Sequence, residues 1–369
     1  MVNRTTLPTD FSELSVEWLN QALRDGRKLR HVRVSDMAIE PLGLSSGYLS
    51  EIARMKLTYD DGASDAPASI IAKLPSQDEV TRALGSSLRL YDREVLFYQE
   101  IGDAAGIGVP ACYFASMFPT GTRYVLLLED RGRVSLSSRP SEYSMEQAAA
   151  ALRALAGMHA RWWNSEKLND HPWLATLTSS SLIATYDGKY RRAWKGAGER
   201  LGDRLPHGVL EIGDLLVDRV PAVFQRASSG PSTLAHGTFR PENVYFGAKG
   251  EPSQVSAASW HFVGRRRGAS DVAFFIPYSV PRASRAEQEQ LLLRPYHEAL
   301  VDLGVGGYCF DELLEHYRFG LIRNLMLFAI GDDNLELQVS EGKSWSEQRV
   351  MSLKALVDWD CQALLRGLK

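Results

Sequence analysis

"LAHGTFRPENVYFG", Leu234 to Gly247, is the segment that decides the fold of this chain. It joins a His-Gly pair, His236 and Gly237, to Asn243, which follows position 238 by five residues. Thr238 is a neutral hydroxyl that cannot accept a proton near neutral pH, whereas a carboxylate of pKa about 3.9 can do so. The segment thus places an imidazole, a neutral hydroxyl and an amide within eight residues, and none of these three side chains is a carboxylate.

Length, charge and cysteine content limit the possible functions. The chain has 369 residues, more than one hydrophobic core usually serves, so we expect two lobes. Its net charge of −3 argues against a nucleic-acid partner and favours a small-molecule ligand. Three widely spaced cysteines indicate neither a disulfide framework nor a metal cluster, which favours a reducing cytoplasm. No apolar run has the length of a signal peptide or a membrane span, so we expect no membrane partner.

The hydrophobic pattern changes once along the chain. Residues 36–130 contain alternating, strand-like runs such as "EIARMKLTYDDG", which places Met55 and Leu57 on one face. After Ser144 the pattern is mainly helical, and Ser144 with Gln147 forms a capping box before "AAAALRALAGMHARWW". We therefore predict an α+β fold with a β-rich N-terminal lobe over 1–130 and a helical C-terminal lobe over 131–369.

Seven short sequence motifs follow one another along the chain in a characteristic order. They are "GLSSGY" (43–48), "IIAKLP" (70–75), "REVLFY" (93–98), "LLLED" (126–130), "MHARWW" (158–163), "HGTFRPEN" (236–243) and "ASDVAFF" (269–275). In this order they resemble the aminoglycoside phosphotransferase and choline kinase-like superfamily, especially its ecdysteroid kinase-like branch, over roughly residues 36–366. The resemblance implies a bilobal protein kinase-like fold.

The resemblance also implies roles for particular residues. Ser45, Ser46 and Gly47 would belong to a phosphate loop, Lys73 would contact a nucleotide, and Glu94 would pair with that lysine. In the superfamily the loop motif is His-Gly-Asp, and a second Asp stands immediately before a Trp. In this chain Thr238 replaces the first aspartate, and Ser259, in "AASWHF", replaces the second.

Neither replacement is chemically equivalent to aspartate. Thr238 cannot act as the base, and Ser259 offers a divalent cation only a neutral oxygen, whereas Mg²⁺ favours anionic carboxylate oxygens. We therefore expect no metal site and no required cofactor, with ATP and magnesium binding only if the nucleotide site survives. Phosphoryl transfer should be severely impaired.

Several other residues have two interpretations. His261 could move protons near the altered metal motif, whereas His236 is expected to tie the loop to its neighbours or, alternatively, to shuttle a proton. Lys73 and Glu94 form either a nucleotide clamp or a structural ion pair, and Asn243 is either a ligand or a residue that binds the loop backbone. The run "GRRRGAS" (264–270) is expected to be a solvated turn, or else to place an arginine near an anionic ligand. His159 is expected in the core, and Asp271 is expected to brace the loop.

Three functions are consistent with these residues. The first is an enzyme that uses the cleft for acid/base chemistry other than phosphoryl transfer, with His261, His236, Thr238, Ser259 and Asn243 as the candidate catalytic set. The second is a pseudokinase that binds a nucleotide or metabolite without turnover. The third is an atypical ATP-dependent phosphotransferase that uses a displaced acid such as Glu242 or Asp271.

Overall fold

A computed structural model describes residues 7–42, 49–60, 65–119, 121–132, 143–176, 180–247, 254–279, 285–335 and 350–368. The chain divides into two compact units. The first comprises Met1–Pro140 and Ser256–Phe262, and the second comprises Ser141–Val255 and Val263–Lys369. Ser259 and His261, which the sequence-based division at residue 130 assigns to the helical lobe, therefore belong to the first unit.

The first unit contains a five-stranded antiparallel sheet. Its elements are α1 (Val16–Asp25), β1 (Val34–Pro41), β2 (Ser50–Tyr59), β3 (Ser69–Pro75), α2 (Glu79–Ser87), α3 (Leu90–Leu96), a π-helical turn (Phe97–Ile101), β4 (Cys112–Met117), β5 (Tyr124–Glu129), a short strand (Ser256–Ala257) and a 3₁₀ turn (Trp260–Phe262). The strand order is β1-β2-β3-β5-β4. On β2, Met55 and Leu57 are buried and Lys56 is exposed, as the alternation in the sequence predicts.

The core of the first unit lies between the sheet and α1. Leu19 and Leu23 of α1 pack in one cluster with Met55, Ile70 and Leu127 of the sheet. The central strand β3 pairs with β2 on one side and with β5 on the other, so that Lys73 lies opposite Ile52 and Leu126. This register places a lysine in the middle of an apolar sheet, where its charge needs a partner.

The second unit is mostly helical. Its helices are α4 (Met145–Arg161), α5 (Ser180–Leu201), α6 (Val209–Val217), α7 (Val220–Ser228), α8 (Ala269–Ser279), α9 (Arg285–Asp302), α10 (Phe310–Leu335), α11 (Lys354–Asp358) and α12 (Cys361–Arg366). Two short strands, β6 (Thr233–Ala235) and β7 (Gly264–Arg266), pair antiparallel, and Val244–Tyr245 is a further extended pair. The predicted capping box is present, since the Ser144 side chain accepts from Gln147 N–H and the Gln147 side chain accepts from Ser144 N–H.

The predicted α+β class is confirmed by this succession of an antiparallel sheet and a mainly helical remainder. Helix α8 is buried along its whole length and contacts α4, α9 and α10. Across the described ranges, no helix is both long enough and apolar enough to cross a membrane.

Candidate functional site

The first unit contains a buried ion pair between β3 and α3. The ammonium nitrogen of Lys73 lies 2.8 Å from Oε1 and 2.7 Å from Oε2 of Glu94. The two side chains are 5% and 0% exposed. Burial lowers the pKa of Lys73, although the Glu94 charge opposes this shift. The structure therefore brings together the pair that the sequence predicts.

Glu94 also binds the segment that follows Ser259. Its Oε2 lies 3.0 Å from Nε2 of His261, and its Oε1 accepts the N–H of Trp260 at 3.1 Å. Burial opposes ionisation of Glu94, but the charges of His261 and Lys73 and the hydrogen bonds outweigh it, so the pKa of this carboxyl is well below its usual range. Burial lowers the pKa of His261, although the charge of Glu94 opposes this shift.

The hydrogen bonds of His261 determine which proton it holds. Nε2 contacts both Glu94 Oε2 at 3.0 Å and Ser50 Oγ at 3.2 Å. An ionised carboxylate only accepts hydrogen bonds, so Nε2 must have a proton to donate to Glu94. The same nitrogen then cannot remove the proton of Ser50. Ser50 itself accepts a 2.6 Å hydrogen bond from the Tyr124 hydroxyl. His261 therefore does not activate Ser50 as a nucleophile in this arrangement.

Ser259 occupies the position before Trp260 in an unusual backbone conformation. Its φ is +68°, in the left-handed region that residues with a Cβ rarely adopt. The following Trp260 ring is fully buried and stacks on Phe97 with ring centroids 3.9 Å apart. The packing of the Trp260 ring and the hydrogen bond from Trp260 N–H to Glu94 hold the turn in place. The turn therefore does not depend on a carboxylate at position 259.

Ser259→Gly is expected to raise the free energy of unfolding by about 0.5–1 kcal/mol, because glycine removes the left-handed strain but adds entropy to the unfolded chain. Ser259→Ala keeps the Cβ and should give no such gain. Urea denaturation of both variants measures the difference, and equal stabilities of the two would contradict a strained backbone at this position.

In the second unit, Asp271 at the start of α8 holds the loop that begins at His236. Its Oδ2 accepts the N–H of His236 at 2.6 Å, and its Oδ1 accepts the N–H of Gly237 at 2.7 Å. Gly237 has φ +89°, which a side chain would disfavour, so glycine is needed for both amides to meet one carboxylate. These are the contacts expected of the predicted brace.

His159 supports the same carboxylate from α4. It is fully buried, with Nδ1 2.8 Å from the Tyr296 hydroxyl and Nε2 3.3 Å from Asp271 Oδ2. Burial would raise the pKa of Asp271, but the His159 hydrogen bond and the nearby charges of His159, His236 and Arg266 more than compensate and lower it. The core location predicted for His159 is confirmed.

The loop itself is closed by its own polar groups. The Asn243 amide nitrogen donates to Thr238 O at 2.9 Å, and Thr238 N–H donates to His236 Nδ1 at 3.3 Å. Thr238 and Asn243 are half-buried, whereas His236 is fully buried. Asn243 thus makes the backbone contact that its structural interpretation requires. The three phosphate-loop candidates, Ser45, Ser46 and Gly47, lie outside the described residues.

Two participants were not identified from the sequence. Ser50 begins β2 and Tyr124 begins β5, and neither position has a local signal that distinguishes a network member from a core residue. Ser50 contacts His261, and Tyr124 contacts Ser50, so both contacts join residues that are far apart in sequence. The two residues can be recognised as members of this network only when the pairing of the sheet strands is known.

The family model described as the ecdysteroid kinase-like family matches residues 45–304. The chain belongs to the ecdysteroid kinase-like family. Among curated proteins, none matches this chain by sequence.

Solved structures show the same fold. A choline kinase from Cryptosporidium parvum Iowa II has a TM-score of 0.56 at 10% identity, covering 96% of this chain and 97% of that one. A chain described as a putative aminoglycoside phosphotransferase from Ralstonia eutropha has a TM-score of 0.55 at 12% identity, covering 96% and 99%. The predicted kinase-like fold is thereby confirmed.

The residues present do not fit a magnesium ion of the kind used in phosphoryl transfer. The positions where the predicted motifs would have aspartate hold the hydroxyls of Thr238 and Ser259. Neutral hydroxyls compete poorly with the hydration shell of Mg²⁺. Throughout the described part of the chain, no group of three or more His, Cys, Asp or Glu side chains could hold a metal ion.

Proposed function

We propose that this chain is a small-molecule-binding pseudokinase that does not catalyse magnesium-dependent phosphoryl transfer. One observation is central to the proposal. In the first unit Lys73 is bound to Glu94, and in the second unit Asp271 is bound to the loop backbone, while hydroxyls stand at both positions where the superfamily motifs have aspartate.

The expected cost of these replacements is large. Loss of an acid/base group typically lowers a rate by about 10²–10⁴, and loss of electrostatic stabilisation by a metal commonly costs more. Asp271 does not supply a substitute acid, because each of its oxygens already accepts a backbone N–H in the loop. This argues against a phosphotransferase that uses Asp271 as a displaced acid.

Acid/base conversion of a metabolite through His261 receives less support than binding. The imidazole is 7% exposed, and its Nε2 proton is directed to Glu94. His236 is fully buried, and its Nδ1 accepts the N–H of Thr238. Both histidines make contacts that position the chain, so the binding proposal requires fewer changes in the site.

A nucleotide is the first ligand to test. Lys73 uses two hydrogen bonds on Glu94 and has three donors, so among the described residues one donor is left for an anionic group. Two fold neighbours are described with nucleotides: an amicoumacin kinase with AMP-PNP at 12% identity and TM-score 0.52, and an aminoglycoside phosphotransferase with GDP at 9% identity and TM-score 0.53. Those descriptions concern the neighbours and motivate the choice of probe here.

Thermal unfolding with ATP in the presence of magnesium or EDTA tests the proposal. A ligand that binds the native state raises Tm, and we expect the same rise in both buffers because no carboxylate pair recruits the metal. Lys73→Met should abolish the rise. A shift that requires magnesium, together with ADP release at about 1 s⁻¹ or faster, would overturn the proposal. No shift with any nucleotide would contradict nucleotide binding and leave Lys73–Glu94 as a structural pair.

A further inference from the structure

A cavity in the second unit is lined by residues of α7 and α10. The space inside it is about 430 Å³, open solvent included, which is within the size range of small-molecule sites. The surface that it offers to a ligand is almost entirely apolar. The two helices contribute five apolar side chains to the lining: Val223, Phe224, Ala227, Phe319 and Met326.

Arg267 also lines the cavity, and its guanidinium is bound to the backbone at the end of α7. Arg266 and Arg267 are each 6% exposed, so the expectation of a solvated turn at "GRRRGAS" is wrong for these two residues. Nε and Nη2 of Arg267 donate to the carbonyl oxygen of Ser229 at 2.9 and 2.6 Å, and Nη2 also donates to Arg226 O at 2.6 Å. Nη1 is itself buried, so it adds no polar surface to the cavity. The carbon stem of Arg267 is therefore the part that can join the apolar surface.

Ser270 and His316 are two further polar residues of the lining. The Ser270 hydroxyl donates to Arg267 O at 2.8 Å, and Nδ1 of His316 lies 3.0 Å from the hydroxyl oxygen of Tyr308. Burial lowers the pKa of His316 to about 4, so its imidazole is uncharged near neutral pH. Neither residue thus adds a charge to the cavity.

Arg323 approaches the cavity from α10. Its Nη1 donates to Gly237 O at 3.4 Å, and its guanidinium carbon lies 5.5 Å from the centroid of the Phe274 ring. Burial, followed by the charge of Arg266, lowers the pKa of Arg323 to about 9, so this side chain is still cationic at pH 7. A second positive charge brought into the cavity would be repelled by Arg323.

The charge of a suitable ligand follows from these contacts. A cation is disfavoured by the buried guanidinium groups of Arg267 and Arg323, and an anion would lose its hydration to a surface that is almost entirely apolar. Water in an apolar space finds few hydrogen-bond partners, so an uncharged apolar group displaces it favourably. Phe224 and Phe319 provide rings against which an aromatic group packs well.

We propose that this cavity binds an uncharged apolar group about the size of one aromatic ring, carried by a small molecule. Because the cavity is continuous with solvent, a larger molecule can enter with its apolar end alone. The site goes beyond the proposed function, since it uses neither a nucleotide nor the pair of Lys73 and Glu94, which belong to the first unit. Either proposal can therefore fail without the other.

Toluene is a suitable uncharged probe, with benzoate and benzylammonium as its anionic and cationic analogues of similar size. Binding to the full chain at pH 7 is measured from the methyl NMR signal of Met326, which the Met326→Leu variant identifies. Toluene should give a saturable shift of this signal with a Kd of roughly 1 mM. Both charged analogues should bind at least about tenfold more weakly, because the cavity does not replace their hydration.

Ala227→Leu tests whether toluene occupies this cavity. Ala227 is half-buried and lines the cavity, so a leucine at this position should fill part of the space and weaken toluene binding at least about tenfold. The Tm of the unliganded variant should be unchanged or raised, because filling an apolar cavity commonly stabilises a protein. Ala222→Leu is the matched control: Ala222 is also half-buried on α7 but lies outside the lining, so this variant should keep the wild-type affinity.

Three results would overturn the proposal. These are the absence of a saturable Met326 shift with toluene, charged analogues that bind as tightly as toluene, and equal toluene affinities of the Ala227→Leu and Ala222→Leu variants. If Ala227→Leu does not fold, Ala227→Val adds a smaller side chain at the same place and is compared with Ala222→Val in the same way.

Discussion

Glu94→Gln should reduce the free energy of unfolding by about 3–5 kcal/mol, the usual cost of removing one member of a buried ion pair. The carboxylate of Glu94 binds Lys73, His261 and the Trp260 N–H, and it is fully buried. A neutral amide leaves the lysine charge without compensation and presents an N–H₂ group toward donors. Urea denaturation measures the change.

Glu100→Gln is the matched control, because Glu100 is exposed and lies in the following helical turn. Its effect should stay within about 0.5 kcal/mol. A double-mutant cycle adds a second check: Lys73→Met should cost much less in the Glu94→Gln background than in the wild type. Additive effects would contradict an energetically coupled pair.

The pH dependence of the Glu94→Gln effect follows from the lowered pKa of Glu94. The folded-state pKa lies below the ordinary value of 4.5, so the stabilisation is fully present above that pH and is lost as the pH falls toward the folded-state pKa. The stability difference between wild type and variant should therefore be largest near neutral pH and shrink below about pH 4.5. A difference that grows on acidification would contradict an ionised Glu94.

Asp271→Asn should be comparably damaging in the second unit, with a loss of about 3–5 kcal/mol. The carboxylate accepts backbone N–H groups with both oxygens, whereas an asparagine can accept with one oxygen and places an N–H₂ group against the other donor. Release of His236 and Gly237 should also loosen the loop, which amide hydrogen exchange at these residues would report.

Asp218→Asn is the control for Asp271→Asn. Asp218 pairs with Arg191 at 3.0 Å, but its side chain is 76% exposed, so the change should stay within about 0.5 kcal/mol. Equal losses in the two variants would show that the Asp271 contacts contribute no more than a surface ion pair.

Sequence patterns predicted those features that depend on local periodicity or on motif spacing. The alternation around Met55 and the capping box at Ser144 define their elements directly, whereas the pairing of Lys73 with Glu94 was implied by the family resemblance. Asp271 reaches the loop because α8 begins just after the paired strands β6 and β7.

Features that depend on long-range packing were missed. His261 joins Glu94 across 167 positions of the chain, and nothing near either residue indicates that contact. The burial of two neighbouring arginines was missed for a different reason, because consecutive arginines usually indicate a solvated turn, but Arg266 and Arg267 are each 6% exposed.

ATP hydrolysis by the wild type and by the Thr238→Asp/Ser259→Asp double variant is the most direct test of the central claim, because it requires no knowledge of an acceptor. Aspartate tolerates the left-handed backbone at position 259, where φ is +68°, so the variant should fold. We predict background hydrolysis by the wild type and at least about a 10²-fold gain in the double variant with magnesium. Wild-type hydrolysis as fast as that of the double variant, or no gain on restoring both carboxylates, would contradict the account.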